Sequence, residues 1–253
     1  GLESAWEQTQ VPGVFRGLSF GCWLAFAMPV WPFMAEAGHW AFAPPQKKPL
    51  PIVRKADWPG NGIDRFILAK LEAEGIAPSE EASRSTLVRR LSLDLTGLPP
   101  SPAEALAFVR DDSEEAYADL VERLLASPRF GERQAQDWFD LARFADTSGY
   151  AADRTRNVWP YRDWVIDAMN DNMPFDRFSI DQLAGDLVSN ATPGQRVASA
   201  FQRHAMQAKG NNPRKEEFRV KGIVDRLQAT GRTWLGLTLE CAECHDHKHD
   251  PIS

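Results

Sequence analysis

Within the short stretch Cys241–Asp250, CAECHDHKHD, lie two of the chain's three cysteines and three of its five histidines. Thiolates and imidazoles are strong transition-metal ligands, and thiols also form covalent bonds. Three chemistries fit the spacing. C-x-x-C-H, here Cys241, Cys244 and His245, is the attachment pattern for c-type haem. Two thiols must reach the two vinyl groups of one porphyrin edge, and the adjacent imidazole then lies beneath the iron as proximal ligand. A zinc or iron knuckle could instead draw on Cys241, Cys244 and two of His245, His247 and His249. The three imidazoles alternate, so an extended segment would point them one way. A Cys241–Cys244 disulfide needs only an oxidising compartment and leaves His245 without a role. No βαβ pattern surrounds the motif, which argues against a thioredoxin-like redox site. Haem c is the expected cofactor, with zinc or iron, or no ligand, as alternatives.

If iron is held by His245, its sixth position needs a donor or stays open for small-molecule chemistry. His204 and Met206 sit in FQRHAMQAKG, and Met169 and Met173 flank another loop. His247 follows the motif closely in sequence. Methionine is core material by default, so His204, Met206 and His247 remain alternatives.

A second polar group spans Ala142–Val165. It gathers Asp146, Asp153, Arg154, Arg156, Arg162 and Asp163 among Tyr150, Trp159, Tyr161 and Trp164. Arg–Asp pairing in a structural loop accounts for it. A polar cleft is the functional alternative, with Asp146 and Asp153 as acid, base or cation ligands and the arginines as anion contacts. The spacing matches no catalytic template, so the sequence assigns no enzyme activity.

The net charge of −6 argues against a nucleic-acid binder, which would carry a basic face. No phosphate-cradling glycine loop is present. Near the N-terminus, Arg16 precedes an apolar run from Leu18 to Met34, followed by Ala35-Glu36-Ala37. That order of basic, apolar and small residues is a secretory signal. The run is interrupted by Pro29 and Pro32 and is short for a spanning helix. Residues 1–37 are therefore read as a signal peptide containing Cys22. The mature chain then has no membrane span, lies in the periplasm or outside the cell, and retains only Cys241 and Cys244. The missing Met at the start and the motif's place at the end fit a fragment truncated at its C-terminus, with a further domain downstream.

The elements that must position the motif are helical. Residues 38–60 hold five prolines and read as an extended arm. Ile63, Phe66, Ile67 and Leu71 share one helical face that ends at Gly75. Leu87, Val88, Leu91 and Leu95 form the next stripe, stopped by Gly97 and a proline pair. Ser101-Pro102-Ala103-Glu104 is a capping box, and Thr192 starts a helix in the same way. Tyr117, Leu120, Val121, Leu124 and Leu125 form another stripe. Trp159-Pro160 marks a helix start, and a last helix runs from about Lys215 through Trp234 into the motif. Period-2 alternation is nearly absent. The expected fold is all-α, an irregular multi-helix domain over residues 61–253 preceded by the proline-rich arm.

The stretches WPGNGIDRFILAKLEAEG, ASPRFGERQAQDWFDLARFADTSGY, WPYRDWVIDAMNDNMPFDRF and TWLGLTLECAECHDHKHDPIS together resemble the large secreted planctomycete cytochrome c-like proteins. Over about residues 39–253 the chain is similar to the second of the three domains often found there, a domain of unknown function. The resemblance implies export, a haem at Cys241, Cys244 and His245, and a further domain of the same polypeptide. It supplies no enzyme activity. The chain departs from the family where His249 replaces a common aromatic, where no haem module precedes the domain, and where AKGNNPRKEEFR is unusually basic. The overall expectation is an exported c-type haem protein carrying electrons to an unidentified redox partner. The alternative is a structural or substrate-binding domain built on a knuckle or a disulfide.

Overall fold

Helix starts and stops are written locally in this chain, and the structure, a computed structural model, uses them. It describes residues 43–149, 153–206, 215–250 and 252–253. The proposed signal peptide, including Cys22, lies outside the described residues. Nine α-helices occur among them: α1 (Gly62–Ala73), α2 (Arg84–Thr96), α3 (Pro102–Arg110), α4 (Ala116–Leu125), α5 (Pro128–Ala142), α6 (Trp159–Asn170), α7 (Phe175–Ala184), α8 (Pro193–Ala198) and α9 (Lys215–Thr230). The one β feature among the described residues is an isolated bridge between Thr147 and Thr155. The all-α expectation holds.

Capping explains the boundaries. Ser101 accepts the N–H of Glu104 while the Glu104 carboxylate accepts the N–H of Ser101, and Pro102 occupies the first turn. Thr192 and Gln195 repeat the device on α8. Each such cap satisfies donors the helix cannot, stabilising by about 1 kcal/mol. At the other end of α2, Gly97 adopts a left-handed φ of 71° and its N–H returns to the Leu93 carbonyl.

The chain divides into two compact units, Gly1–Pro78 and Ser79–Ser253. In the first, the described part of the arm is irregular up to α1 and mostly exposed, with Val53 buried. The Glu72 carboxylate accepts the backbone N–H groups of Arg54 (2.9 Å) and Lys55 (3.1 Å), tying arm to helix. This is why α1 groups with the arm, where the sequence places it with the helical body. Of the stripe expected to be core, Ile63, Phe66 and Ile67 are exposed and Leu71 is half-buried; among the described residues of this unit, Val53 and Leu68 are buried.

The second unit has two cores. Val88, Phe108, Ala116, Leu120 and Leu124 form the smaller one, with Leu87, Leu91 and Leu95 packed against it as the α2 periodicity predicts. The larger is aromatic and joins α5, α6 and α7 to the chain that leads to the motif. Trp138 packs edge-on to Phe178 (centroids 4.7 Å) and Trp234 (5.8 Å), and Phe201 meets Trp234 at 4.9 Å. Through its centre runs a polar chain: the Trp138 indole donates to the Tyr161 hydroxyl (3.1 Å), which donates to Gln182 Oε1 (2.9 Å). Burial pushes the Tyr161 phenol well above its ordinary range, so it stays a donor. α5 and α6 approach closely at Gly131, where a Cβ would lie 2.5 Å from the Ile166 carbonyl oxygen.

Candidate cofactor-attachment site

Trp234 anchors the route to the motif. Its ring lies in the aromatic core and its indole donates to Ser179 of α7 (3.0 Å). Beyond α9 the chain makes one wide turn over Gly231–Leu235 and reverses at Gly236, φ 65°. The Leu237 N–H then returns to the Gly231 carbonyl (3.1 Å). Gly231 matters sterically: a Cβ there would lie 2.5 Å from Leu239 Cδ1. Its absence lets the 3-10 turn Leu239–Glu243 settle on α9. Arg232 pairs with Glu240, and Gln228 of α9 donates to Glu243 (3.4 Å).

The motif is wound on that turn. The Cys241 carbonyl accepts the N–H of both Cys244 (3.3 Å) and His245 (3.2 Å). Cys241 lies within the 3-10 turn and Cys244 caps its end. Both thiols are exposed and unbonded. His245 is exposed as well, and its Nδ1 lies 2.7 Å from the Asp246 carbonyl oxygen. A carbonyl can only accept, so Nδ1 carries the proton and Nε2 keeps its lone pair. That second-sphere hydrogen bond is the arrangement that orients a metal-ligating imidazole. The donor set therefore fits a c-type haem. Cys241 and Cys244 would hold it covalently and His245 Nε2 would coordinate its iron.

The other histidines have different surroundings. His247 is turned inward. Its Nδ1 accepts the N–H groups of His249 (3.2 Å) and Asp250 (2.8 Å), which leaves Nε2 protonated and 3.1 Å from Thr238 Oγ1. Both ring nitrogens are used in holding the loop. The segment bends instead of extending, so the three imidazoles do not line one face. Among the described residues no group of three His, Cys, Asp or Glu is gathered as a metal site.

His204 is 3% exposed, enclosed by Tyr161 (centroids 4.5 Å) and Phe144 (5.6 Å). Neither ring nitrogen makes a hydrogen bond of good geometry, although the Ala142 carbonyl lies near. Burial first, then the charges of Arg156 and Arg143, push the imidazole down to about 4. Reaching a metal from there would require opening that cage. Met206 is exposed; it rests on Gly149 and, with Glu243 of the motif, lines a cleft of about 280 Å³ beside α9. Met169 and Met173 pack against the aromatic core.

Residues 62–253 match PSCyt2, described as a protein of unknown function (DUF1549). The chain belongs to that family. The match takes in every α-helix from α1 to α9 and the whole of the Cys241–His245 motif. No curated protein and no solved structure matches the chain.

Within the PSCyt2 span, the second polar group is a hairpin-like loop. The Asp146 carbonyl accepts the Arg156 N–H (2.7 Å), the Ser148 N–H reaches the Arg154 carbonyl (2.9 Å), and Asp153 Oδ1 accepts the Gly149 N–H (2.8 Å). The Arg156 guanidinium donates to the carbonyls of Arg203, His204 and Ala205, capping the 3-10 turn Ser199–Arg203. Arg162 pairs with its neighbour Asp163. Of the arginines expected as anion contacts, Arg156 is thus engaged with backbone carbonyls and Arg162 with Asp163, while Tyr150 lies outside the described residues. What sequence reasoning missed is Arg143, whose guanidinium lies over Phe201 (5.6 Å) and pairs with Asp225 of α9 (2.9 Å). The signal available was its place at the end of α5, where a cation meets unpaired carbonyls.

No helix among the described residues is long and apolar enough to cross a membrane.

Proposed function

We propose that this chain is an exported c-type haem protein that carries electrons as one module of a larger multidomain protein. The observation that carries the reading is the state of the C-x-x-C-H turn: two exposed free thiols, and a neighbouring imidazole whose Nδ1 is committed to a carbonyl so that Nε2 is free. Export is supported by the basic, apolar and small-residue order of residues 16–37.

A haem held at this turn supplies a one-electron couple. The residues supply the rest. Cys241 and Cys244 would hold the haem through thioether bonds, each thiol adding across one vinyl group with no oxidant required. His245 would supply its Nε2 to the iron, the ring oriented by the Asp246 carbonyl. Thr238 and the His249 and Asp250 amides keep His247 turned inward, away from competing for the metal.

The test is expression of the full chain in a host with haem-maturation machinery. Intact mass should show an exported chain beginning near Gly38 and carrying one haem. The pyridine–alkali spectrum should show a c-type α-band, and both signals should vanish in Cys241→Ser/Cys244→Ser. A colourless exported protein of unmodified mass would refute the reading, and metal analysis of that form would then test the zinc or iron knuckle.

A further inference from the structure

α9 has two sides. Residues 224, 225 and 228 face the motif's cleft, whereas 223, 226, 227 and 230 line a separate groove of about 600 Å³. At 100° per residue these sets lie on opposite faces of the helix. On the groove side, Val220, Ile223 and Leu227 repeat at i, i+3 and i+7 and are 45%, 44% and 59% exposed. On the facing wall, Leu183 of α7 is 40% exposed. Large apolar side chains left this open are not core.

Arg203 and Arg226 line the same groove, against a single acid, Asp186. Among the described residues neither guanidinium has a carboxylate partner. The α9 stripe spans two helical turns, about 10 Å. That is the length over which a docked helix presents one i, i+3, i+7 face, the helix-in-groove mode of recognition. The free positive charges set the complement: acidic residues flanking the docked apolar face.

We propose that the groove between α7 and α9 receives an amphipathic helix of a partner protein, apolar on one face and acidic along its edges. The site is separate from the C-x-x-C-H turn and does not depend on haem.

The probe is a fluorescein-labelled peptide of about 18 residues, long enough to hold helical structure, with Leu at i, i+3, i+4 and i+7 and Glu on the flanks. A second probe carries Lys in place of Glu. Fluorescence anisotropy with the purified full chain should show saturable binding of the acidic probe, at least about tenfold tighter than the basic one. Arg203→Glu/Arg226→Glu should invert that preference. Leu227→Asp should abolish binding of both probes, with the far-UV spectrum unchanged because the side chain is exposed. Absent saturable binding, equal affinity for both probes, or no inversion in the charge-reversed variant each overturns the proposal. So does concentration-dependent self-association that Leu227→Asp removes in the absence of probe, because the occupant is then a second copy of this chain.

Discussion

His204 makes folding of this protein sensitive to mild acid. In the folded chain the imidazole is held down to about 4, against an ordinary value of 6.5. The charged groups facing it are Arg143 and Arg156, both cations, and the rings around it are Tyr161 and Phe144. Nothing there welcomes a proton except the nearby Ala142 carbonyl. In the unfolded chain the same ring protonates freely below 6.5. The unfolded state therefore binds the extra proton first, so stability is full above 6.5 and drains away as the pH falls towards 4. The difference of about 2.5 units corresponds to about 3 kcal/mol over the whole window, with a slope approaching about 1.4 kcal/mol per pH unit. Against a typical total of about 5–15 kcal/mol, that is a substantial share.

The assay is urea denaturation at pH 7 and pH 5 of wild type and His204→Phe. Phenylalanine suits the aromatic cage and cannot titrate. At pH 7 the variant should be at least as stable as wild type, since it removes two unpartnered buried nitrogens. At pH 5 it should exceed wild type by about a further 2 kcal/mol. The window is chosen above the carboxylates: Glu104, Asp111 and Glu216 are all held low by hydrogen bonds, from Ser101, Ser113 and Arg219 respectively, so their contributions are lost only at lower pH. Parallel pH dependences in wild type and variant would refute the argument, since the cage would then not be excluding the proton.

Tyr161→Phe removes the hydroxyl between Trp138 and Gln182 and strands a buried donor and a buried acceptor; a loss of about 1–3 kcal/mol in denaturant stability is expected. Gly131→Ala places a methyl group against the Ile166 carbonyl and should cost about 1–3 kcal/mol, read as a lower melting temperature, where Gly75→Ala tests only backbone strain because space there is open. Arg156→Ala frees three carbonyls at the end of Ser199–Arg203; amide exchange should quicken around residues 199–206 while helix content is retained. Gly231→Ala should push Leu239 off α9; after maturation, Cys241 and Cys244 should then carry haem in lower yield than wild type while overall stability changes less.

The sequence shows this fold wherever a local signal decides the outcome, and hides it wherever distant residues do. Ser101, Thr192 and Gly97 end helices through contacts within four residues, so their roles are readable in the chain itself. Periodicity states which residues share a face but not what meets that face. Leu87, Val88 and Leu91 find a core; Ile63, Phe66 and Ile67, equally periodic, do not, because α1 buries Leu68 instead. Ile223 and Leu227, at helical spacing on α9, are exposed as well. At the motif, spacing names Cys241, Cys244 and His245, but only the folded turn distinguishes the histidines. His245 and His247 are two residues apart, yet one donates Nδ1–H to a carbonyl and the other accepts two amides with the same atom. Those opposite tautomers give the first a free Nε2 and commit the second's to Thr238, a residue well upstream. Composition treats the two imidazoles as equivalent ligands. The backbone around them leaves one with a free Nε2 and makes the other a brace for the loop.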